Sequence, residues 1–223
     1  EINVVVVYLP HISNFTDFDV LEAEDTVSLR YVGNGEEIGE PDVIIIPGSK
    51  NTIGDLQYLK SRGDASAIVE KAISGKCVVF GVCGGYQMLC TTLIDPKCVE
   101  AKLREIEGLN LLPATTVFES HAQKMTNQVR AMADLPFYTG EIAGYEIHMG
   151  RTYFSDGEIK NAFRIFERSG EKVIDDGGGG GAVYGNVIGT YIHGIFDNDA
   201  FRRAFLDHVR ARKGLPPLRA DET

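Results

Sequence analysis

Residues 76–89 read KCVVFGVCGGYQML, and they decide how the rest of the chain is arranged. The apolar run from Cys77 to Phe80 is typical of a buried strand, and a helix opens near Tyr86. Between them lies Cys83 in a G-x-C-x-G run, which is typical of a nucleophile elbow, a strained turn that requires small neighbours. A cysteine there lies at a helix N-terminus, which favours the thiolate. A buried structural cysteine is the alternative; the spacing favours a nucleophile.

Composition excludes several classes of function. The 223 residues are 43% hydrophobic and carry a net charge of −10, from 22 basic and 32 acidic side chains. This balance argues against nucleic-acid and anionic-membrane partners, which select basic patches. No apolar run approaches the ~20 residues that span a bilayer, and no signal-peptide pattern opens the chain. Because the chain begins with Glu1 rather than Met, we expect a piece of a longer protein.

The four cysteines stand at positions 77, 83, 90 and 98 without any C-x-x-C pair. This spacing disfavours a zinc ribbon or a thioredoxin-type redox pair, and we predict no metal and no cofactor in this chain. Without a secretory signal the thiols are expected to be reduced and the protein cytoplasmic. A free thiol at Cys83 is therefore available as a nucleophile.

Apolar strand-like runs separated by helix-length stretches predict an α/β fold with a mostly parallel central sheet and helices on both faces. Residues 114–167 alternate in polarity and predict an antiparallel extension of that sheet. We expect one domain at 1–213 and a disordered tail at 214–223. The predicted strands are 2–8, 27–32, 41–46, 77–80 and 182–192, and the predicted helices are 53–59, 65–73, 86–92 and 199–212.

Two loops invite a binding interpretation. Residues 47–52, PGSKNT, follow a predicted strand at the carboxyl edge where open α/β sheets bind ligands, and Gly48 lets backbone N–H groups point into the crevice. The spacing is not that of a Walker A loop, and a plain loop capped by Ser49 or Thr52 is equally compatible. The glycine-rich run 175–181 begins with Asp175 and Asp176 and has no basic partner to bind an anion, so we interpret it as a surface turn.

A cysteine nucleophile needs a base, and histidine suits that role near neutral pH. His193 ends a predicted strand, on the same sheet edge as Cys83 if the strands are parallel; His148 is the second candidate. The backbone N–H of Gly84 and one from the Gly48 loop are the expected oxyanion donors. Gln87 lies about one helical turn after Cys83. Its side-chain amide either faces the thiol, where it could bind a polar substrate group, or lies on the surface of the helix.

Four segments, GVCGGYQML, PGSKNT, GYEIHMGRT and GTYIHGIFDND, together resemble the class I (triad-type) glutamine amidotransferase domain of the cobyric acid synthase family. The opening LPHISNFTDFDVLEAE and EGLNLLPATTVF fit the same family, so that the resemblance runs from about Asn3 to Gly214. It implies a flavodoxin-like three-layer fold.

The resemblance also implies a reaction. Cys83 would attack the side-chain amide of glutamine, release ammonia and leave a thioester that water hydrolyses, with His193 as the catalytic histidine. Gln87, with Ser49 and Tyr86, would bind the substrate. In the family, ammonia passes to a preceding ATP-dependent synthetase domain, outside this sequence, that amidates carboxylates of adenosylcobyrinic acid a,c-diamide. ATP, Mg²⁺ and the corrinoid would belong to that domain.

One position departs from the wider pattern. Most class I amidotransferases carry Glu two residues after the histidine, whereas Ile195 stands here; the cobalamin branch resembles this sequence in lacking it. Glu146 and Asp197 are weak candidates for orienting His193, and His148 is expected to serve the site without being the base.

Three other interpretations stay open at this point. A stand-alone cysteine hydrolase of the PfpI-like type also carries an elbow cysteine, but leaves EGLNLLP and GYEIHMGRT without a role. A non-catalytic regulatory subunit would bind a synthetase without hydrolysing glutamine. The amidotransferase of lipid II glutamate amidation shares the C-G-G-Y-Q elbow, whereas PGSKNT and ISNFTDFD favour the cobyric acid branch.

Overall fold

The computed structural model describes residues 1–33, 36–118, 126–155, 157–174 and 179–218. The helices lie between the strands, as the sequence pattern predicts. They are α1 (Asp19–Glu22), α2 (Thr52–Arg62), α3 (Asp64–Ile73), α4 (Gly84–Leu89) and α5 (Asp199–Arg212), with 3₁₀ turns η1 (Phe15–Phe18) and η2 (Ile195–Asp197). The strands are β1 (Ile2–Val7), β2 (Ile12–Ser13), β3 (Val27–Val32), β4 (Val43–Ile46), β5 (Gly48–Ser49), β6 (Val78–Val82), β7 (Cys90–Ile94), β8 (Glu105–Glu107), β9 (Leu112–Val117), β10 (Asn127–Leu135), β11 (Tyr138–Glu146), β12 (Arg151–Phe154), β13 (Lys160–Asn161), β14 (Phe163–Arg168), β15 (Glu171–Lys172), β16 (Gly181–Tyr184), β17 (Val187–Thr190) and β18 (Ile192–His193).

The central sheet has seven strands in the order β13-β16-β17-β6-β4-β1-β3. The five strands from β17 to β3 are parallel, and β13 and β16 extend the sheet in the antiparallel sense. β1, β4 and β6 are buried on both faces, which explains their uninterrupted apolar sequences. The predicted α/β architecture is therefore confirmed.

Alternate residues of each central strand enter two separate cores. On one face, Val5, Ile44 and Val79 pack with residues of α2, α3 and α4. On the other face, Val4 and Ile45 pack with α5 and with β10 of a second sheet. Both faces are covered, so the carboxyl edge of the parallel strands is the place where side chains can converge around a ligand.

The predicted antiparallel extension of the main sheet is present in β13 and β16, but the other strands between 114 and 167 lie outside that sheet. They form two further sheets, ordered β15-β14-β10-β11-β18 and β12-β9-β7-β8. The first packs its apolar side on the central sheet, because β10 and β14 alternate buried and exposed residues. It also carries β18, so this second sheet holds one of the predicted site residues, His193.

Several boundaries differ from the sequence prediction. The elbow helix ends at Leu89 rather than residue 92, because the β-branched run after it forms β7. The segment 182–192 is a hairpin of β16 and β17 rather than one strand. α5 has its predicted bounds. The described start of the predicted tail, 214–218, folds back so that the N–H of Leu218 donates to Asp207 Oδ1 at 2.8 Å.

The remainder of the tail, 219–223, lies outside the described residues, as do His121 and the 175–178 part of the glycine-rich run. Among the helices that the structure describes, none has the length and apolar character needed to cross a bilayer.

Candidate active site

Cys83 occupies a strained turn directly after β6. Its φ of 52° and ψ of −109° lie in a region that L-residues rarely adopt, and it forms the N-cap of α4. Its N–H donates to the carbonyl of Thr190 at 2.7 Å, which ties the turn to the end of β17. Strain at a single cysteine between strand and helix is the geometry that the sequence predicted for a nucleophile elbow.

The glycines around Cys83 are required by close backbone approach. A Cβ added to Gly85 would overlap the carbonyl oxygen of Ile46, and one added to Gly81 would lie 2.7 Å from the N atom of Tyr86. The elbow therefore packs against the end of β4 with no room for a side chain.

Gly85→Ala is accordingly expected to lower the free energy of unfolding by about 3 kcal/mol, because the backbone of β4 or α4 must move to admit the methyl group. Chemical denaturation measures the change. Gly157→Ala is the matched control, since nothing lies within 4 Å of its added Cβ and its φ is not positive. Equal stability of the two variants would contradict the close packing of the elbow.

The thiol of Cys83 is largely enclosed, with 5% of the residue exposed. Its Sγ lies 3.5 Å from the carbonyl oxygen of Ile147, in the segment after β11. Burial raises the pKa of Cys77 to about 11 and that of Cys90 to about 12, so these two thiols stay protonated. Among the buried cysteines, Cys83 alone combines a strained turn with a neighbouring histidine.

His193 leaves the sheet at the same edge as Cys83, as predicted from parallel strands. β17 pairs with β6 so that Thr190 lies opposite Val82, and the next residues of both strands enter the same crevice. The ring is 1% exposed. Three residues on, Phe196 packs on Phe80 with ring centroids 5.1 Å apart, which anchors the turn that follows His193.

Asp17 orients the imidazole. Its Oδ2 lies 2.6 Å from His193 Nδ1, and its Oδ1 accepts the N–H of Gly194 at 3.1 Å. The Nδ1 atom therefore carries a proton, and Nε2 is the ring nitrogen that remains available for proton transfer. The Nε2 atom is buried, and among the described residues it has no hydrogen-bond partner of ordinary geometry. The thiol of Cys83 is close enough to interact with the ring.

The electrostatic balance keeps His193 protonated. Burial by itself lowers the pKa of the imidazole, but the hydrogen bond with Asp17 and the neighbouring Cys83 outweigh it and raise the pKa to about 9. At neutral pH His193 is therefore a charged imidazolium, placed between the sulfur of Cys83 and the buried carboxylate of Asp17.

Glu146 and Asp197, the two weak candidates for orienting His193, do not do so. Glu146 pairs with Arg168 and lies 3.5 Å from His148 Nε2. Asp197 lies beyond Asp17, and burial raises its pKa. Both are near histidines in the sequence, whereas the residue that touches the imidazole lies 176 positions from His193.

His148 lies beside the site but does not replace His193. Its ring stacks on Tyr191 with centroids 3.8 Å apart, and its Nδ1 lies 3.1 Å from the carbonyl of Gly150. With Glu146 it braces the segment whose Ile147 and Met149 carbonyls face Cys83 and Gln87. That His148 serves the site without being the base stays a prediction.

The loop after β4 packs directly on the elbow. A Cβ on Gly48 would lie 3.2 Å from His193 Cε1 and 2.7 Å from Ser13 Oγ, so glycine leaves room for the imidazole. A Cβ on Gly84 would lie 3.0 Å from the N atom of Ser49. The two predicted oxyanion glycines are thus brought together beside the thiol. Asn51 caps α2, rather than Ser49 or Thr52.

The side chain of Ser49 holds this loop through hydrogen bonds within the protein, and its role as a substrate ligand stays a prediction. Its Oγ donates to Asp55 Oδ2 at 2.6 Å and accepts the N–H of Asn51 at 2.9 Å. Asp55 is fully buried and also lies 2.8 Å from His11 Nδ1. The buried carboxylate therefore fastens β2 and β5 to the first turn of α2.

Gln87 and Tyr86, the other two predicted substrate ligands, are both buried within the protein. The Nε2 of Gln87 donates to the Met149 carbonyl at 2.7 Å and to Tyr191 Oη at 3.2 Å, and its Oε1 accepts from Thr52 at 3.1 Å. Both N–H donors are thereby engaged within the protein. The ring of Tyr86 is buried in the core against Tyr191, with centroids 4.9 Å apart.

Sequence reasoning missed Asp17 and Tyr145. Asp17 lies in η1, in the segment that follows β1. The available signal was its place at the carboxyl edge of a parallel strand, where polar side chains converge.

Within the described ranges, no three His, Cys, Asp or Glu side chains gather as a metal-ion site would require.

Comparison with known proteins agrees with this geometry. Residues 3–201 match the family model described as the CobB/CobQ-like glutamine amidotransferase domain. Cobyric acid synthase of Moorella thermoacetica is 48% identical over 223 residues, covering 97% of this chain and 42% of that protein. The cobyric acid synthase of Alkaliphilus metalliredigens is 44% identical over 225 residues, covering 98% of this chain and 44% of that protein. The chain thus spans about two fifths of the length of these relatives.

Solved structures show the same fold. PurLQS from Thermotoga maritima superposes with a TM-score of 0.66 at 20% identity, covering 94% of this chain and 99% of that one. A crystal structure of a glutamine amidotransferase gives a TM-score of 0.64 at 14% identity, covering 95% and 99%. The match over residues 3–201 takes in β6, the elbow and β18. The chain therefore belongs to the CobB/CobQ-like glutamine amidotransferase domain family.

Proposed function

We propose that this chain hydrolyses glutamine through Cys83 and supplies the ammonia to a synthetase domain. The observation that carries the proposal is the convergence of the strained Cys83, the buried His193 and Asp17 at one edge of the sheet. A thiol, an imidazole and an orienting carboxylate are the groups that acyl transfer from an amide requires.

In the first half of the reaction, Cys83 reacts as the thiolate of a thiolate–imidazolium pair with His193: its Sγ attacks the side-chain carbonyl carbon of glutamine and a C–S bond forms. The negative charge that develops on the amide oxygen is stabilised by the N–H of Gly84 and by one from the Gly48 loop. The His193 imidazolium then donates its Nε2 proton to the amide nitrogen. The C–N bond breaks, ammonia leaves, and a glutamyl thioester stays on Cys83.

In the second half, the neutral imidazole of His193 takes a proton from water as the oxygen attacks the thioester carbon. The C–S bond breaks, glutamate leaves, and the thiolate–imidazolium pair is restored. Asp17 keeps Nδ1 protonated throughout, so Nε2 is always the atom that gains or loses the proton. Gln87 and Ser49 act by holding the walls of the site through their internal hydrogen bonds.

The wider assignment rests on similarity to cobyric acid synthases. We propose that ammonia from this domain passes to an ATP-dependent synthetase domain that amidates peripheral carboxylates of adenosylcobyrinic acid a,c-diamide in cobalamin biosynthesis. ATP, Mg²⁺ and the corrinoid would bind to that domain, and the whole protein would act in the cytoplasm. The identity to these relatives along almost this entire chain supports the proposal.

Thiol labelling tests the proposed nucleophile. We expect iodoacetamide at neutral pH to modify Cys83 at least about tenfold faster than Cys77 or Cys90, because burial keeps those two thiols protonated. L-glutamine should slow the modification of Cys83, and D-glutamine should not. Peptide mass spectrometry gives the rate at each site.

Cys98 is the internal control, because it is exposed and its labelling should not respond to glutamine. The proposal fails if Cys83 reacts no faster than Cys90, or if L-glutamine protects no thiol.

A further inference from the structure

The face of the catalytic imidazole is covered by an aromatic ring that the mechanism above does not use. Tyr145 on β11 lies opposite His193 in the antiparallel pairing with β18. The two rings are stacked, with centroids 5.2 Å apart and planes inclined by 18°. A cation within about 6 Å of an aromatic centroid is attracted by the ring electrons.

Asn14 holds that aromatic ring in place. Its Nδ2 donates to Tyr145 Oη at 2.7 Å, across 131 positions of sequence. Asn14 has a left-handed backbone with φ of 54°, and its carbonyl accepts the N–H of Asp17 at 3.0 Å. The same residue therefore contacts two of the groups that touch the imidazole: Asp17 through the backbone and Tyr145 through the side chain.

We propose that Tyr145, held by Asn14, is a positioning residue that stacks on the imidazolium of His193 and stabilises its charged form for proton delivery to the leaving ammonia. The inference rests on the proposed function for its catalytic meaning. Stacking restrains tilting of the ring, whereas Asp17 restrains rotation in its plane. Gly48 leaves space at Cε1, so no side chain at that position competes with this arrangement.

The charges that face His193 come from three elements. Asp17 on η1 and Cys83 at the elbow both favour the protonated ring. Asp197 on η2 lies one step further out, beside Asp17 and Tyr145. The second sheet contributes the ring of Tyr145 to the surroundings of His193. A substitution of Tyr145 therefore alters the aromatic contact without altering the number of charges around the imidazole.

The test compares Tyr145→Phe, which keeps the ring, with Tyr145→Leu, which removes it. NMR titration of the histidine ring signals in the whole chain, assigned with His193→Gln, reports the pKa of His193 without any need for catalysis. We expect Tyr145→Leu to lower that pKa by about 0.5 to 1 unit and Tyr145→Phe to preserve it. Tyr145→Met is a second non-aromatic variant should Leu impair folding.

The pH profile of glutamine hydrolysis provides the second readout. A pKa lowered by this amount makes the loss of kcat/KM in Tyr145→Leu about two- to fivefold larger at pH 9 than at pH 7. A purely structural defect would lower activity equally at both pH values. An unchanged pKa of His193 in both non-aromatic variants would overturn the inference. If the wild-type chain proves inert toward glutamine while the pKa still falls in Tyr145→Leu, the stacking stands and the proposed function fails.

Discussion

Asp17→Asn is expected to reduce kcat/KM for glutamine hydrolysis by about 10²- to 10⁴-fold. The amide is nearly isosteric with the carboxylate, so the fold should persist. It cannot, however, supply the negative charge that stabilises the imidazolium, and its NH₂ group can favour the wrong tautomer of His193. An ammonia-release assay measures the loss.

The same variant should change the pH dependence. In the folded chain the pKa of His193 is raised to about 9 from an ordinary value of 6.5. A raised histidine pKa contributes stability that is fully present below about pH 6.5 and is lost as pH rises through about 9. For a difference of this size the contribution is on the order of 3 kcal/mol. Urea denaturation of the wild type should show this loss, and Asp17→Asn should show much less of it.

The alkaline limb of the activity profile, which reports protonated His193, should likewise move to lower pH in Asp17→Asn. Asp197→Asn is the matched control, because Asp197 is also acidic and nearby but makes no hydrogen bond to the imidazole; we expect less than about a threefold effect. Similar losses in the two variants would contradict the assignment of Asp17 as the orienting carboxylate.

Cys83→Ala should abolish glutamine hydrolysis, with kcat reduced by at least about 10⁴-fold. In the proposed mechanism Cys83 forms the covalent bond, so its removal leaves no path to the thioester, whereas Ala can occupy the turn at the same cost in backbone strain as Cys. Ammonia release in parallel with circular dichroism separates catalysis from folding. Cys98→Ala is the control, because it removes an exposed thiol from another residue with positive φ, 53°. Equal activities of the two variants would exclude Cys83 as the nucleophile.

Local pattern predicted most of the fold. The apolar strands β1, β4 and β6, the elbow at Cys83 and both bounds of α5 follow from hydrophobic periodicity and turn chemistry. The edge shared by Cys83 and His193 also followed, because parallel strands end on the same side of a sheet. These features depend on neighbours in sequence or on one topological rule.

Contacts between segments that are distant in the sequence could not be predicted. Asp17 meets His193 across 176 positions, and Tyr145 meets Asn14 across 131, so no spacing rule relates them. The hydrogen-bond partners of Gln87 are a further example. Its place on the elbow helix suggested substrate binding, but Met149 and Tyr191 engage both of its donors. A polar residue near a nucleophile is as often needed to satisfy buried groups as to bind a ligand.

Capture of the covalent intermediate tests the central claim most directly. The chain is mixed with glutamine, quenched in acid within one turnover, digested and analysed by mass spectrometry. We predict a glutamyl group on the peptide that contains Cys83 and a larger amount of it in Asp17→Asn if deacylation is slowed more than acylation. Ammonia release without a glutamyl adduct on Cys83 in any of these proteins, or an adduct on another residue, would contradict the account.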